Sequence, residues 1–172
     1  TGTDILFAAA LLRRGELGLR VNQAIPRARR QAASELGVQS GFGSEWLRLG
    51  SVKFFADGAL GSQTAWMLEP YQGRADWRGV CTLDPEEFTE EALACSAAGL
   101  SVMIHAIGDR ANRHVLDALA VVRGAEPEWQ TGQAQPARPW PPLRHRVEHV
   151  QIIHPDDAPR LAQLGLIASI QP

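Results

Sequence analysis

The sequence predicts an α/β fold built on a parallel sheet, and three observations carry that reading. Stretches with helical spacing alternate with short apolar strands, in the order α-β-α-β-α-β-α-β-α-β. Alternation of this kind implies parallel strands joined by helical crossovers. The strands are mostly apolar on both faces, as strands covered on both sides should be. No short fixed-period repeat of the solenoid type accompanies the alternation. Five strands fit either a doubly wound sheet or part of a (β/α)8 barrel. A whole barrel needs about 250 residues, and this chain has 172.

Each element has a local reason. Residues 4–14 place Ile5, Ala8, Ala9 and Leu12 on one face, with Thr3 or Asp4 as cap. Residues 19–24 form a short strand ending at Asn22 and Gln23. Pro26 opens a basic helix that Gly37 stops, its Arg27, Arg29 and Arg30 read as a solvated face. Residues 39–50 read as a loop or short helix and 52–56 as a strand. The segment 57–83 has no clear periodicity, yet holds Trp66, Met67, Tyr71 and Trp77. Loops of that length are functional or disordered, and the aromatics argue against disorder. Asp84-Pro85-Glu86-Glu87 is a strong helix start, with Phe88, Ala92 and Cys95 on the buried side and Gly99 at the end. A strand follows at 101–106. Asp109 then caps a helix striped by Ala111, Val115, Leu119 and Val122 and ended by Gly124. Residues 125–143, with five prolines, read as an irregular surface connection. A strand at 146–150, a helix opened by Pro155, Asp156 and Asp157, and a strand at 166–170 complete the chain.

In both candidate architectures the chemistry lies at the carboxyl ends of the strands. The 57–83 segment leaves such an end and is placed to cover a site. His105 and His149 sit near the ends of successive strands. Alternation puts Ser101, Met103 and His105 on one face, and Val147, His149 and Gln151 on one face. Lys53, with Phe55 and Asp57, can point the same way. Two imidazoles suit zinc and its neighbours. A lysine ligates only after losing its proton or after carbon dioxide converts it to a carbamate, an anion able to bridge two metals. Plainer readings stand beside these. Lys53 could snorkel from an edge strand, and Asp57 could be an Asx turn residue or a pocket acid. Asp109 and Arg110 read as cap and surface residues. Glu148 alternates away from His149, toward the helices. His145 lies at the amino end of its strand, and His114 and His154 read as surface residues. Gly58 to Ser62 lacks the Gly-Lys-Ser/Thr ending of a phosphate loop.

The totals exclude several classes. Hydrophobic residues make up 45% and charged residues 21%, with a formal charge of −2, so no basic field recruits nucleic acid. No apolar run approaches the roughly 20 residues needed to cross a membrane. Cys81 and Cys95 are too few for a disulfide framework and read as free thiols in a reducing, cytoplasmic setting.

Three segments carry a resemblance: V-K-F-F-A-D-G-A-L-G-S-Q-T-A at 52–65, H-A-I-G-D-R-A at 105–111, and R-V-E-H-V-Q at 146–151. Together they resemble the amidohydrolase superfamily, in particular the amidohydrolase-3 (YtcJ-like) metal-dependent hydrolases, and S-I-Q-P at 169–172 fits that family's next strand. The resemblance implies a (β/α)8 TIM-type barrel holding one or two divalent metals, usually zinc. Lys53 would match the strand-4 position, often carboxylated and bridging the metals. His105 and His149 would match the strand-5 and strand-6 ligands. A metal-activated water would attack an amide, formamide or related carbon–nitrogen bond of a small molecule, and metal coordination lowers the pKa of water to roughly 7. Lys53 and Asp57 would serve the chemistry, with Asp57, Gly58 and Gly61 in the loop over the pocket.

The departures also inform. The family's His-x-His pair, its late metal-binding Asp and its small β-sandwich do not occur here. Residues 1–172 are therefore expected to be one incomplete barrel domain covering about strands 3 to 7. Its unpaired strand edges invite self-association. A related barrel acting on an ester or on a cyclic amide or urea is the competing enzyme reading. A non-catalytic or degenerate binding domain is the competing class.

Overall fold

The computed structural model describes residues 2–131 and 143–171, with side chains over 4–126 and 143–171. The elements are α1 (Gly2–Arg13), β1 (Val21–Pro26), a 3₁₀ turn (Arg27–Arg29), α2 (Arg30–Glu35), β2 (Leu47–Phe55), α3 (Pro85–Ala97), β3 (Val102–Ala106), α4 (Asp109–Thr131), β4 (Arg146–His149), α5 (Ala158–Gln163) and β5 (Ile167–Ser169). The strands form one sheet in the order β1-β2-β3-β4-β5, and every neighbouring pair is parallel. Sequential order decides between the two architectures. A doubly wound sheet reverses its strand order at a switch point, whereas a barrel adds each strand beside the last. The chain is a run of five successive strands, with the helices that connect them, of a TIM-type barrel.

The core lies between the sheet and its helices. Val52, Phe54, Val102, Ile104 and Val147 point from the strands into Phe88, Ala92, Cys95, Val115, Leu119 and Val122 of α3 and α4. Phe54 meets Phe88 edge-on, with ring centroids 5.3 Å apart. Burying a side chain of this size stabilises by about 2 kcal/mol. α3 starts as the sequence predicts. Asp84 Oδ1 accepts from the Glu86 N–H at 2.9 Å and the Glu87 N–H at 3.1 Å, satisfying two of the helix's free donors.

Several expected boundaries and surfaces differ. β2 begins at Leu47, because Leu47, Arg48 and Leu49 pair with Val21, Asn22 and Gln23. Gly50 lies inside it, at a place where a Cβ would crowd the Asn22 side chain. α4 does not stop at Gly124 but runs to Thr131. The residues around that glycine are anchored: Arg123 Nη1 donates to Glu126 at 2.7 Å and its Nε to the Leu164 carbonyl at 2.9 Å. These contacts outweigh the roughly 1 kcal/mol that a helical glycine costs relative to alanine. The remainder of the proline-rich connection, 132–142, lies outside the described residues. Arg27 and Arg30 are not a solvated face. Both bind Glu91 of α3, and Arg27 also binds Glu87. Asp157 is buried between Arg113 and Arg160, tying α5 to α4 instead of capping α5. Among the described residues no helix is long and apolar enough to cross a membrane.

Candidate metal centre

Register sorts the inward-facing side chains. Lys53 pairs with Met103, and Met103 with Arg146. One layer higher, Phe55 pairs with His105, and His105 with Glu148. Lys53, Met103, Arg146 and His105 are only partly covered on this face, whereas Val102, Ile104 and Ala106 between them are buried on the helix side. Lys53 and His105 therefore share the face that their spacing predicts.

β4 departs from the expected alternation. Val147 lies in the helix-side core, and Glu148 faces the same side as His105, not the helices. His149 nevertheless reaches the site, because its φ of +75° turns the chain out of the strand, and Val150 follows at +46°. The His149 ring then meets the His105 ring edge-on, with centroids 4.6 Å apart. Glu148 is buried and lies beside Arg146, with Nε 2.5 Å from Oε1. The two side chains form a largely buried ion pair, with Arg146 Nη2 also donating to Glu148 Oε2 at 3.4 Å. Arg146 Nη2 donates to Ser169 Oγ at 2.7 Å. Burial pushes the Lys53 amine below its ordinary range; Arg146 adds to that, and Glu148 opposes it. The ammonium also sits 4.6 Å from the Phe55 ring centroid.

Each histidine has one ring nitrogen in a hydrogen-bond contact. His105 Nε2 is 2.7 Å from the Gly58 carbonyl, and His149 Nδ1 is 2.8 Å from Gln171 Oε1. An imidazole N–H donating to each oxygen suits both contacts. His105 Nδ1 and His149 Nε2 take no part in them. A metal-binding histidine typically donates its other ring N–H to a carbonyl or carboxylate, and the His105 contact to Gly58 has that form. Lys53 lies on the same inward face, one layer below His105. Among the described residues, no group of three or more His, Cys, Asp and Glu is arranged to hold a metal.

Asp57 is placed differently from a pocket acid. Its side chain is buried at the end of β2, accepting from Ile107 N–H at 3.0 Å, Gly108 N–H at 2.8 Å and Trp66 N–H at 2.9 Å. Burial pushes its carboxyl up from the usual range, and those donors pull it back. The 57–83 segment is ordered and leaves and returns at β2, where Thr82 N–H donates to the Ala56 carbonyl at 3.0 Å. Its aromatics serve the segment itself. Tyr71 Oη donates to the Ala65 carbonyl, and Trp77 Nε1 to the Gln63 carbonyl. Trp66 stacks on His114 at 4.8 Å with Arg110 over its ring, so His114 is not a free surface residue. Asp109 is the first residue of α4, and its Oδ1 accepts from Arg110 N–H and, across to the covering segment, from Leu68 N–H; the Ala111 and Asn112 N–H groups that a cap would take go to the Trp66 and Gly108 carbonyls. The aromatic left facing the site is Phe55, 55% exposed. It borders a groove of about 470 Å³ with Pro26, Lys53 and Leu83.

The sequence missed the inward Arg146–Glu148 pair. Parity from Lys53 and His105 through the strand register would have found it, had the turn at His149 been known.

The fold thus defines a segment of a TIM-type barrel with two histidines meeting at the carboxyl ends of its strands. The sequence matches the profile of the Amidohydrolase family over residues 5–172, and the chain belongs to that family. It is 40% identical over 129 residues to Protein LONG AFTER FAR-RED 3 of Arabidopsis thaliana, covering 75% of this chain and 20% of that protein. It is 31% identical over 128 residues to the protein named "Putative amidohydrolase YtcJ" of Bacillus subtilis, covering 74% and 21%. The crystal structure of an uncharacterized metal-dependent hydrolase from Pyrococcus furiosus superposes with a TM-score of 0.77 at 29% identity, over 97% of this chain and 31% of that one. The chain therefore spans about a fifth of these curated relatives and about a third of the solved hydrolase.

Proposed function

We propose that this chain forms part of the catalytic domain of a metal-dependent hydrolase acting on carbon–nitrogen bonds of the non-peptide amide type in a small molecule. The observation that carries the reading is the pair of rings: His105 and His149 meet edge-on, and each has one ring nitrogen against an oxygen, which leaves the other for a ligand. His105 Nδ1, His149 Nε2 and Lys53 would hold the ion. A bound divalent metal, zinc by the character of these donors, would activate water for attack on the substrate. Lys53 is suited to the neutral form, because burial disfavours its ammonium. A neutral amine adds carbon dioxide, forming an N–C bond and releasing one proton to solvent, and the resulting carbamate is an anionic ligand. The groove beside Phe55 and Leu83 would receive the apolar part of the substrate. The unpaired edges of β1 and β5 would pair with further strands or with a second copy.

The test is elemental analysis of protein purified without chelators or an affinity metal. Roughly one zinc or more per chain is expected, and His105→Ala and His149→Ala should each abolish it. Metal content unchanged in either variant would refute the ligand assignment. A second reading, a non-catalytic domain of the same fold, draws on the lack of a three-residue His, Cys, Asp and Glu cluster among the described residues. Absence of metal in the wild-type chain, together with no hydrolysis by the longest form carrying this segment, would favour it.

A further inference from the structure

We propose that Asp57 is a positioning residue that couples the order of the 57–83 segment to the orientation of His105, so that capturing a metal and fastening the segment are one event. The inference rests on the metal reading of His105. One carboxylate joins three parts of the fold. Oδ1 takes the Ile107 N–H, where β3 turns toward α4; Oδ2 takes the Gly108 N–H and the Trp66 N–H, the last from the covering segment. The next residue, Gly58, turns its carbonyl to His105 Nε2 at 2.7 Å, and Asp57 Oδ1 itself lies 3.4 Å from that nitrogen. The carbonyl that holds the His105 ring therefore belongs to the residue next to Asp57.

The joint has little slack. A Cβ on Gly108 would overlap the Trp66 backbone, and one on Gly58 would overlap the Thr64 side chain. Trp66 is in turn held by Ala111 N–H donating to its carbonyl at 3.2 Å. If the segment lifts, Gly58 moves with it, and His105 loses the acceptor that holds its ring. If a metal takes Nδ1, the proton stays on Nε2 and the bond to Gly58 is strengthened. The Asp57 side chain is buried and taken up by three backbone N–H groups, so it acts through His105.

The test compares wild type with Asp57→Asn, which keeps the shape but turns an amide N–H toward backbone donors. Zinc affinity should weaken by roughly 10- to 100-fold, the usual effect of losing an outer partner of a metal ligand. Nitrogen NMR of the metal-free protein should show His105 passing from the single Nε2–H tautomer to a mixture. The Trp66, Ile107 and Gly108 amides should exchange faster, while the Val102 and Ile104 amides should not. Faster exchange with unchanged zinc affinity and unchanged tautomer would leave Asp57 a merely structural residue and overturn the coupling. If the variant does not fold, the wild type decides. Zinc should slow exchange at those three amides, and no slowing overturns the proposal. A wild type that binds no zinc removes the metal reading and the coupling together, whereas zinc binding that Asp57→Asn leaves intact removes the coupling alone.

Discussion

Substituting Glu126 should expose how this fold is held at the end opposite the site. Glu126 Oε1 accepts from His145 Nε2 at 2.9 Å and from Ser96 Oγ at 2.8 Å, and Oε2 accepts from Arg123 Nη1 at 2.7 Å. The His145 side chain is fully buried, and its Nδ1 accepts the Val102 N–H at 3.1 Å, so its proton must sit on Nε2. Burial opposes the Glu126 charge, but the three donors prevail and hold the carboxyl at about 2, against an ordinary 4.5. A carboxyl lowered on folding contributes stability that is complete above pH 4.5 and lost as pH falls toward 2. With the side chain 12% exposed, the contribution is on the order of 3 kcal/mol. Burial lowers His145, so the folded state resists a proton that the unfolded chain accepts below about pH 6.5. Both groups therefore make stability fall on the acid side. Glu126→Gln should lose about 3 kcal/mol at pH 7 by urea unfolding, and the slope of stability between pH 4.5 and 2.5 should flatten. A loss under about 1 kcal/mol, with the wild-type slope retained, would refute the reasoning.

Three further outcomes follow from single contacts. Gly108→Ala should destabilise by about 1–3 kcal/mol in a thermal melt, because its Cβ overlaps the Trp66 backbone. Asp84→Ala should cost about 1 kcal/mol through the lost cap of α3, read by the same melt and unaccompanied by any change in zinc content. His149→Gly should be more stable than His149→Ala by about 1 kcal/mol, since the site holds φ at +75°, while both lose metal; equal stabilities would show that the turn relaxes in the variants.

Alternation of helices and strands was enough to read the parallel sheet, because each strand's apolar residues had to be covered on both faces. The barrel-type order was legible only through the resemblance, since composition does not say beside which neighbour a strand lies. Lys53 and His105 were placed correctly by parity, because β2 and β3 are regular up to those residues. Glu148 was misplaced for the same reason that His149 was placed by accident: two positive-φ residues at the end of β4 invert the parity, and neither is a glycine that would announce a turn. Long-range acceptors were equally hidden. Nothing local to Arg27 foretells Glu91, 64 residues away, and nothing local to Trp66 foretells that His114 and Arg110 will occupy its ring.

The two ends of the sheet divide the work physically. At the amino ends, the buried polar groups are matched: His145, Glu126, Arg123 and Ser96 satisfy one another. At the carboxyl ends, the described residues in left-handed backbone that are not glycine gather, Gln63 in the covering segment and His149 and Val150 after β4. The buried Arg146–Glu148 ion pair lies on the inward face just below. Strained backbone costs on the order of 1–3 kcal/mol per residue, and a sequence selected for stability alone would shed it. Its concentration at the end that carries Lys53, His105 and His149 supports the proposed site there independently of family resemblance. The matched cluster at the other end, together with the core between sheet and helices, offsets the cost.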